Sequence, residues 1–337
     1  MNNEIITLAH GAGGRAAQRL IDDYIKKYFS NEILDKLEDG SVLELNSKKI
    51  VMTTDSFVVN PVFFAGGDIG KLSICGTVND LAAMGARPMY ITAGLIIEEG
   101  LEISDFERIL SSMKKTAEES GVKIIAGDTK VVEKGKADRI YINTAGIGEI
   151  INTALNISAS SAKEGDFVII SGTTGDHETA ILKEREGIGF EADIKSDCAP
   201  LNNMIEKVIN TGAQISVMRD PTRGGLATVL NEIAAASGVE IKISEELIPV
   251  NEIVKSACSI LGFEPVYMAN EGKMVIITAP GDEKKVLEAL RKTEYGKEAA
   301  VIGKVTGNKK PAVIIETISG GERILMISEG ENLPRIC

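Results

Sequence analysis

Five aspartates stand at the ends of short apolar runs, each among small residues: Asp55 in TTDSFVV, Asp68 in GGDIG, Asp80 in TVNDLAAMGA, Asp128 in AGDTKVV and Asp220 in MRDPTRGG. Crowded carboxylates repel one another unless a cation neutralises them. Hard oxygen donors of this kind suit Mg²⁺, which also takes phosphate oxygens and water. Taken singly, each is equally a turn former or a helix cap. Five together, with adjoining Gly or Asn and with Lys130 and Arg223 nearby in sequence, point to a magnesium nucleotide.

Two glycine motifs bear on the same chemistry. Gly11-Ala12-Gly13-Gly14-Arg15-Ala16 has the form G-x-G-x-x-A, but its preceding strand is short and no acid closes a βαβ unit at the right distance. A phosphate or nucleotide loop fits it better than NAD binding. Gly70-Lys71 resembles the end of a P-loop; the first motif glycine would fall at Ala65 and the magnesium-binding hydroxyl at Leu72, so a Walker A loop is excluded. The four cysteines, Cys75, Cys198, Cys258 and Cys337, form no CxxC pair, and two histidines are too few to suggest zinc. Three read as reduced core thiols. Cys337 stands in a polar segment, SEGENLPRIC, that reads as a mobile tail, and a thiol so placed can carry an acyl-type group between centres.

The elements that must position these groups alternate between strand and helix. A short strand over 4–9 runs into HGAGG, and Leu20, Ile21, Tyr24, Ile25 and Tyr28 make one face of a helix. A strand ends at Asp55, and a glycine-opened helix follows through GTVNDLAAMGA. Ser104 and Glu107 have capping-box spacing ahead of a helix closed by Gly121. Strands are expected over 122–126 and 141–150, then again over 167–171, 239–243 and 274–278, with two more between 300 and 327. Helices are expected over 177–185, 199–209, 224–237 and 283–292. The Ser- and Ala-rich stretch 152–165 divides the chain into an N-terminal α/β domain (1–155), a C-terminal α/β domain (156–327) and the tail (328–337).

Composition limits the partners. Lys plus Arg total 37 against 49 Asp plus Glu, a net charge of −12, which disfavours nucleic acid and anionic membranes. No apolar run approaches the ~18 residues of a membrane span, and the start has no signal-peptide pattern, so a soluble cytoplasmic protein is expected. The 34 glycines exceed the usual ~7 % without low-complexity tracts, a sign of loops that approach something closely.

HGAGG, TTDSFVVNPVFFAGGDIGKL, GTVNDLAAMGARP, GDTKVV, MRDPTRGGLAT, ANEGK and PRIC occur in one order along the chain. The set resembles the HypE family of hydrogenase maturation factors over essentially the whole length, and more distantly the aminoimidazole ribonucleotide synthetase and selenophosphate synthetase superfamily. A selenophosphate synthetase usually has Cys or selenocysteine before the glycine loop, where this chain has His10. The resemblance implies two α/β domains, an N-terminal sheet that pairs across a homodimer, and an ATP cleft closed by the C-terminal domain. It implies that Cys337 receives a carbamoyl group from HypF, that ATP drives its dehydration to an S-cyanate, and that the cyanide passes to iron on the HypC–HypD complex. On the matched motifs, the nucleotide falls to Gly11, Gly13, Gly14, Asn79, Thr129, Gly224, Gly225, Arg223 and Asp220, and magnesium to Asp55, Asp80 and Asp128. Glu271 in ANEGK is the candidate base, with Lys130 and Lys134 as cationic helpers. His10 and His177 are assigned positioning or capping roles.

Overall fold

The computed structural model describes residues 5–11, 15–36, 41, 43–46, 49–185, 193–307, 310–327, 333 and 335–337. Two mixed α/β layers share the chain. The first is a four-stranded sheet, ordered β1-β6-β4-β5, of β1 (Ile50–Phe57), β4 (Ala86–Glu98), β5 (Lys123–Val132) and β6 (Ile140–Ile150). Only β4 and β5 run parallel. The two-residue strands β2 (Phe63–Phe64) and β3 (Gly67–Asp68) form a small hairpin ahead of α3 (Ile69–Ala83). Helix α3 and helix α4 (Ile103–Ser120) pack together, and α3 lies on β1, β6 and β4. The stripe Phe106, Ile109, Leu110, Met113 and Ala117 of α4 is buried, and Gly121 closes that helix in the left-handed region.

Several expectations are corrected in this half. The capping box does not form: α4 starts at Ile103, Glu102 takes the cap position, and Ser104 Oγ turns back to Glu102 instead. Among the described residues 5–9 there is no strand; Ile5 makes a single bridge to Glu102, and Leu8–Gly11 is a 3₁₀ turn. The helix that follows consists of α1 (Arg15–Arg19), a π-helical turn over Leu20–Ile25 and α2 (Lys26–Phe29). Asp68 turns out to be the N-cap of α3: its Oδ1 accepts from the backbone N–H of Gly70 (2.7 Å) and Lys71 (3.0 Å).

The second sheet has seven strands in the order β13-β12-β9-β11-β7-β10-β8. These are β7 (Phe167–Ile170), β8 (Ile215–Arg219), β9 (Glu240–Ser244), β10 (Val275–Thr278), β11 (Ala300–Thr306), β12 (Ala312–Glu316) and β13 (Glu322–Ile324). Of its pairs only β9–β12 is parallel. Helices α5 (Asp176–Glu184), α6 (Asn202–Ile209), α7 (Gly225–Ser237), α8 (Glu252–Leu261) and α9 (Glu283–Arg291) complete this half. Strand β8, helix α8 and the third strand after Ala300 were not read from sequence. The expected core thiols Cys75, Cys198 and Cys258 are free and buried. The N-terminal core also takes in Ile181, Cys198, Ala269 and Ile336, so the two halves and the tail share one apolar cluster.

The cap on α3 sets the start of the helix that carries Asp80. Asp68→Ala is expected to cost about 1–2 kcal/mol, read as a lower thermal midpoint by circular dichroism.

Candidate active site

The cleft forms where α3 crosses β1. A side chain at Gly76 would meet the Phe57 ring at 2.8 Å, so the helix lies close only because residue 76 is glycine. That approach sets Asp80, near the end of α3, beside Asp55 of β1; Thr53 Oγ1 donates to Asp80 Oδ2 (2.8 Å) and the Ser56 N–H to Asp55 Oδ1 (2.8 Å). From the C-terminal half come Asp220, directly after β8, and Glu271. Together with Arg219, Thr222, Arg223, Thr228 and Cys337 they line a cleft of about 470 Å³.

The acids are crowded. Burial raises the pKa of Asp55, Asp80 and Asp220, and Asp220, facing Asp80 and Asp55, is pushed up to about 7. Arg223 works against the rise at Asp55, and Arg219 at Asp80. Gly224 and Gly225 both have positive φ at the start of α7, and a side chain at Gly225 would strike the Met268 carbonyl at 2.6 Å. The glycines thus let the first turn of α7 border the cleft beside Arg223, through Thr228 and Val229, and a helix N-terminus so placed favours an anion.

Glu271 sits on a loop held from every side. Asn270 Oδ1 accepts from the Gly175 N–H (2.8 Å) and its Nδ2 donates to the Pro221 carbonyl (3.0 Å). Glu178 of α5 accepts from the Ala269 N–H (2.7 Å), and Lys273 pairs with the buried Asp197 (2.9 Å). Gly272 leaves no room for a side chain against the Asp197 carbonyl, 1.8 Å from where a Cβ would stand. Glu271 is buried, and burial, then Cys198 and the acids Asp220, Asp197 and Asp55, holds its carboxyl well above the usual range. Asn79, assigned to the nucleotide from sequence, has its side-chain amide engaged within the protein. It is buried, its Nδ2 donates to the carbonyls of Ala199 (3.0 Å) and Glu271 (3.3 Å), and its Oδ1 accepts from the Leu201 N–H (2.8 Å). Its amide is used to tie α3 to the C-terminal half.

The segment read as a mobile tail ends inside this cleft. Residues 335–337 lie along 58–60: the Val58 N–H donates to the Cys337 carbonyl (3.2 Å) and the Asn60 N–H to the Arg335 carbonyl (3.1 Å). Arg335 pairs with Asp138 (2.6 Å), and Ile336 is buried. Cys337 Sγ accepts from Arg223 Nε (3.0 Å). Burial, then Glu271, pushes the thiol up to about 12, so the seated sulfur is protonated at neutral pH.

Other assigned residues stand elsewhere. Asp128 and Lys130 form an exposed ion pair (2.6 Å) on β5, the far edge of the sheet from β1, and Lys134 is exposed in the β5–β6 loop. Gly11, Asp128, Thr129 and Lys130 border a separate hollow of about 310 Å³ beneath the N-terminal helical run. Gly13 and Gly14 lie outside the described residues. The expected trio Asp55, Asp80 and Asp128 is therefore not assembled within one chain, and among the described residues no group of three acidic, His or Cys side chains is placed to hold a metal ion. Sequence reading missed the Val58–Asn60 ledge, Asp138, Arg185 and Arg219. Only Arg219 carried a signal, as a basic residue beside the MRDPTRGG acid.

The family description "AIR synthase related protein, N-terminal domain" matches residues 37–150, and "AIR synthase related protein, C-terminal domain" matches 163–316. The chain is 45% identical over 337 residues to the carbamoyl dehydratase HypE of Azotobacter vinelandii, covering 100% of this chain and 98% of that protein. A crystal structure of the hydrogenase maturation protein HypE in complex with ATP superposes with a TM-score of 0.94 at 46% identity, over 98% of this chain and 99% of that one. A chain from a crystal structure of a HypE–HypF complex is 50% identical, with a TM-score of 0.81 over 92% of this chain and 99% of that one.

Glu178 supplies a pH test of the loop that carries Glu271. Burial raises its pKa from 4.5 to about 7. The folded state thus binds the proton more tightly than the unfolded chain, and this contribution to stability is present at low pH and lost as pH rises through about 7. Glu178→Gln keeps an acceptor for Ala269. Relative to wild type it is expected to be near neutral at pH 4.5 and more stable above pH 7.5, by up to about 3 kcal/mol, as measured by urea unfolding.

Proposed function

The chain belongs to the HypE family of carbamoyl dehydratases, within the AIR synthase related proteins, and on that premise we propose that it dehydrates a carboxamide carried on the sulfur of its own Cys337 to a thiocyanate, with ATP as co-substrate. The family is one of hydrogenase maturation enzymes. The observation that carries the finer reading is the placement of Cys337 Sγ in one cleft with Glu271, Asp55, Asp80, Asp220 and the α7 N-terminus. A sulfur there has no role in handling a free nucleotide alone.

The chemistry follows from what an amide lacks. Its oxygen is a poor leaving group until phosphorylated; phosphoryl transfer from ATP to that oxygen, then removal of the N–H protons, expels phosphate and leaves S–C≡N. The balance is S-carboxamide plus ATP to S-cyanate, ADP, phosphate and one proton. The α7 N-terminus and Arg223 face the phosphates. Asp55 and Asp80 fit a magnesium ion, which needs only one or two carboxylates besides phosphates and water, and the burial that raises their pKa is a penalty on the charged form that a cation there would offset. The ion would neutralise phosphate charge during transfer. Glu271 is the base for the amide nitrogen, since a buried carboxylate is far more basic than a solvated one.

The seated thiol, held near pKa 12, is a poor nucleophile at neutral pH. Carbamoylation by HypF therefore belongs to a tail withdrawn from the cleft, as does delivery of cyanide to the iron of HypC–HypD. Asp128, Thr129, Lys130 and Lys134 enter through a homodimer. The sheet face turned away from the helices exposes Met52 (71 %) and Ile96 (43 %), and Asp128 and Lys130 share that face by register. A second copy laid on it brings its own 128–134 segment to the mouth beside β1.

Intact-mass measurement tests the reaction. With the carbamoyl donor and HypF the chain is expected to gain about 43 Da, and ATP then to remove about 18 Da, by the covalent chemistry of a thiol acceptor. Cys337→Ala gains nothing. Glu271→Gln gains the mass and loses it about 10²–10⁴-fold more slowly. A Cys337→Ala chain that still gains the mass overturns the reading.

Subunit mixing tests the dimer. Asp80→Asn and Asp128→Asn are each expected to be inactive alone. Mixed and exchanged, they should recover about a quarter of wild-type activity, because half of the dimers are mixed and each mixed dimer has one intact site. No recovery places Asp128 outside the site.

A further inference from the structure

Residues 335–337 occupy a slot between the 58–60 ledge of the N-terminal half and α5 of the C-terminal half. The ledge takes the Arg335 and Cys337 carbonyls, and Arg185 Nη2 adds a bond to Arg335 O (2.9 Å). The Ile336 carbonyl points the other way and accepts from His177 Nε2 (2.7 Å). His177 is fully buried, edge-on to Phe64 at 5.6 Å between ring centroids, and it lines neither the acid cleft nor the hollow under the N-terminal helix.

The hydrogen-bond chain assigns the tautomer. A carbonyl only accepts, so Nε2 carries the proton. The neutral ring then accepts at Nδ1, 2.7 Å from Ser196 Oγ. Ser196 Oγ itself accepts from the Cys198 N–H (3.0 Å), which leaves its hydroxyl proton free to point at the ring. Cys198 N–H to Ser196, Ser196 O–H to His177 and His177 N–H to Ile336 thus run in one direction. Burial lowers the His177 pKa, in keeping with a neutral ring. When the tail leaves, the Nε2–H exchanges its carbonyl acceptor for water, and the net worth of that one hydrogen bond favours the seated state.

We propose that His177, as the Nε2–H tautomer fixed by Ser196, is the positioning residue that keeps Cys337 in the cleft and sets the fraction of time its sulfur spends beside Glu271. The consequence for dehydration rests on the function proposed above; the seating does not.

The test uses the full chain, without nucleotide or carbamoyl donor, so that it reads seating alone. Iodoacetamide alkylation of Cys337 is followed by peptide mass spectrometry, with the buried Cys75, Cys198 and Cys258 as slow internal references. His177→Leu is expected to speed Cys337 alkylation about three- to tenfold, the loss of one hydrogen bond. His177→Gln, which keeps a donor, should stay within about twofold of wild type. Ser196→Ala, which frees the tautomer, should raise the rate by a smaller factor, and it decides the matter if His177→Leu does not fold by circular dichroism. A folded His177→Leu or Ser196→Ala chain with the wild-type rate overturns the proposal, as does a Gln variant as fast as Leu. In the carbamoylated chain the KM for ATP should be unchanged in His177→Gln and Ser196→Ala. If seating shifts as stated while wild type never loses about 18 Da with ATP, the dehydratase reading falls and this one stands.

Discussion

The burial of four carboxyl groups in one cleft, which penalises their charged forms, is the constraint around which this protein is built. Asp55 and Asp80 come from one half of the chain, Asp220 and Glu271 from the other, and burial raises the pKa of all four. Charging such a group without a counter-charge is costly. The structure answers this at several points: Arg219 and Arg223 stand against the acids, Lys273 and Asp197 neutralise each other behind the Glu271 loop, and Asn79 makes three bonds across the junction. A shared apolar cluster, including Ile181, Ala269 and Ile336, closes the back. Polar groups held this tightly are preorganised for charge that arrives later.

Legibility in the sequence followed how local the cause was. Helix α4 announced itself through a stripe at 3.6-residue spacing and a closing glycine, and α7 through its glycine start and end. Asp55, Asp80, Asp220 and Glu271 stood out because acids among glycines and small residues are unusual, and the fold gathers those four. The same pattern also selected Asp68, whose carboxylate caps its own helix and accepts from Ser112 Oγ of α4. It selected Asn79 too, whose partners are about 120 and 190 residues away in sequence and so left no local trace. The order of the seven-stranded sheet was equally hidden, since β7 lies between β10 and β11 and few consecutive strands are neighbours.

The seat of residues 335–337 left no trace in composition. A polar ten-residue stretch with a proline has no periodicity to suggest a seat, yet Ile336 is 4 % exposed and Arg335 reaches Asp138. Its contacts are mainly backbone bonds to a ledge and a guanidinium on Sγ. Such recognition is invisible to any pattern of side-chain types. The position of Asp128 and the lysines, away from the cleft within one chain, has a different origin. One chain can report only what lies on its own surface, and the β5 edge faces away from the cleft it was expected to line.

The cleft and the cysteine it holds are parts of one polypeptide, and this has a kinetic meaning. On the function proposed above, a substrate carried on the enzyme's own chain would meet its site at an effective concentration set by the connecting segment, on the order of millimolar for a short flexible link. On that function, diluting an intact assembly would not weaken that encounter, and no excess of substrate could be added to saturate it. Occupancy of the site is therefore an internal equilibrium, written into the contacts of residues 335–337.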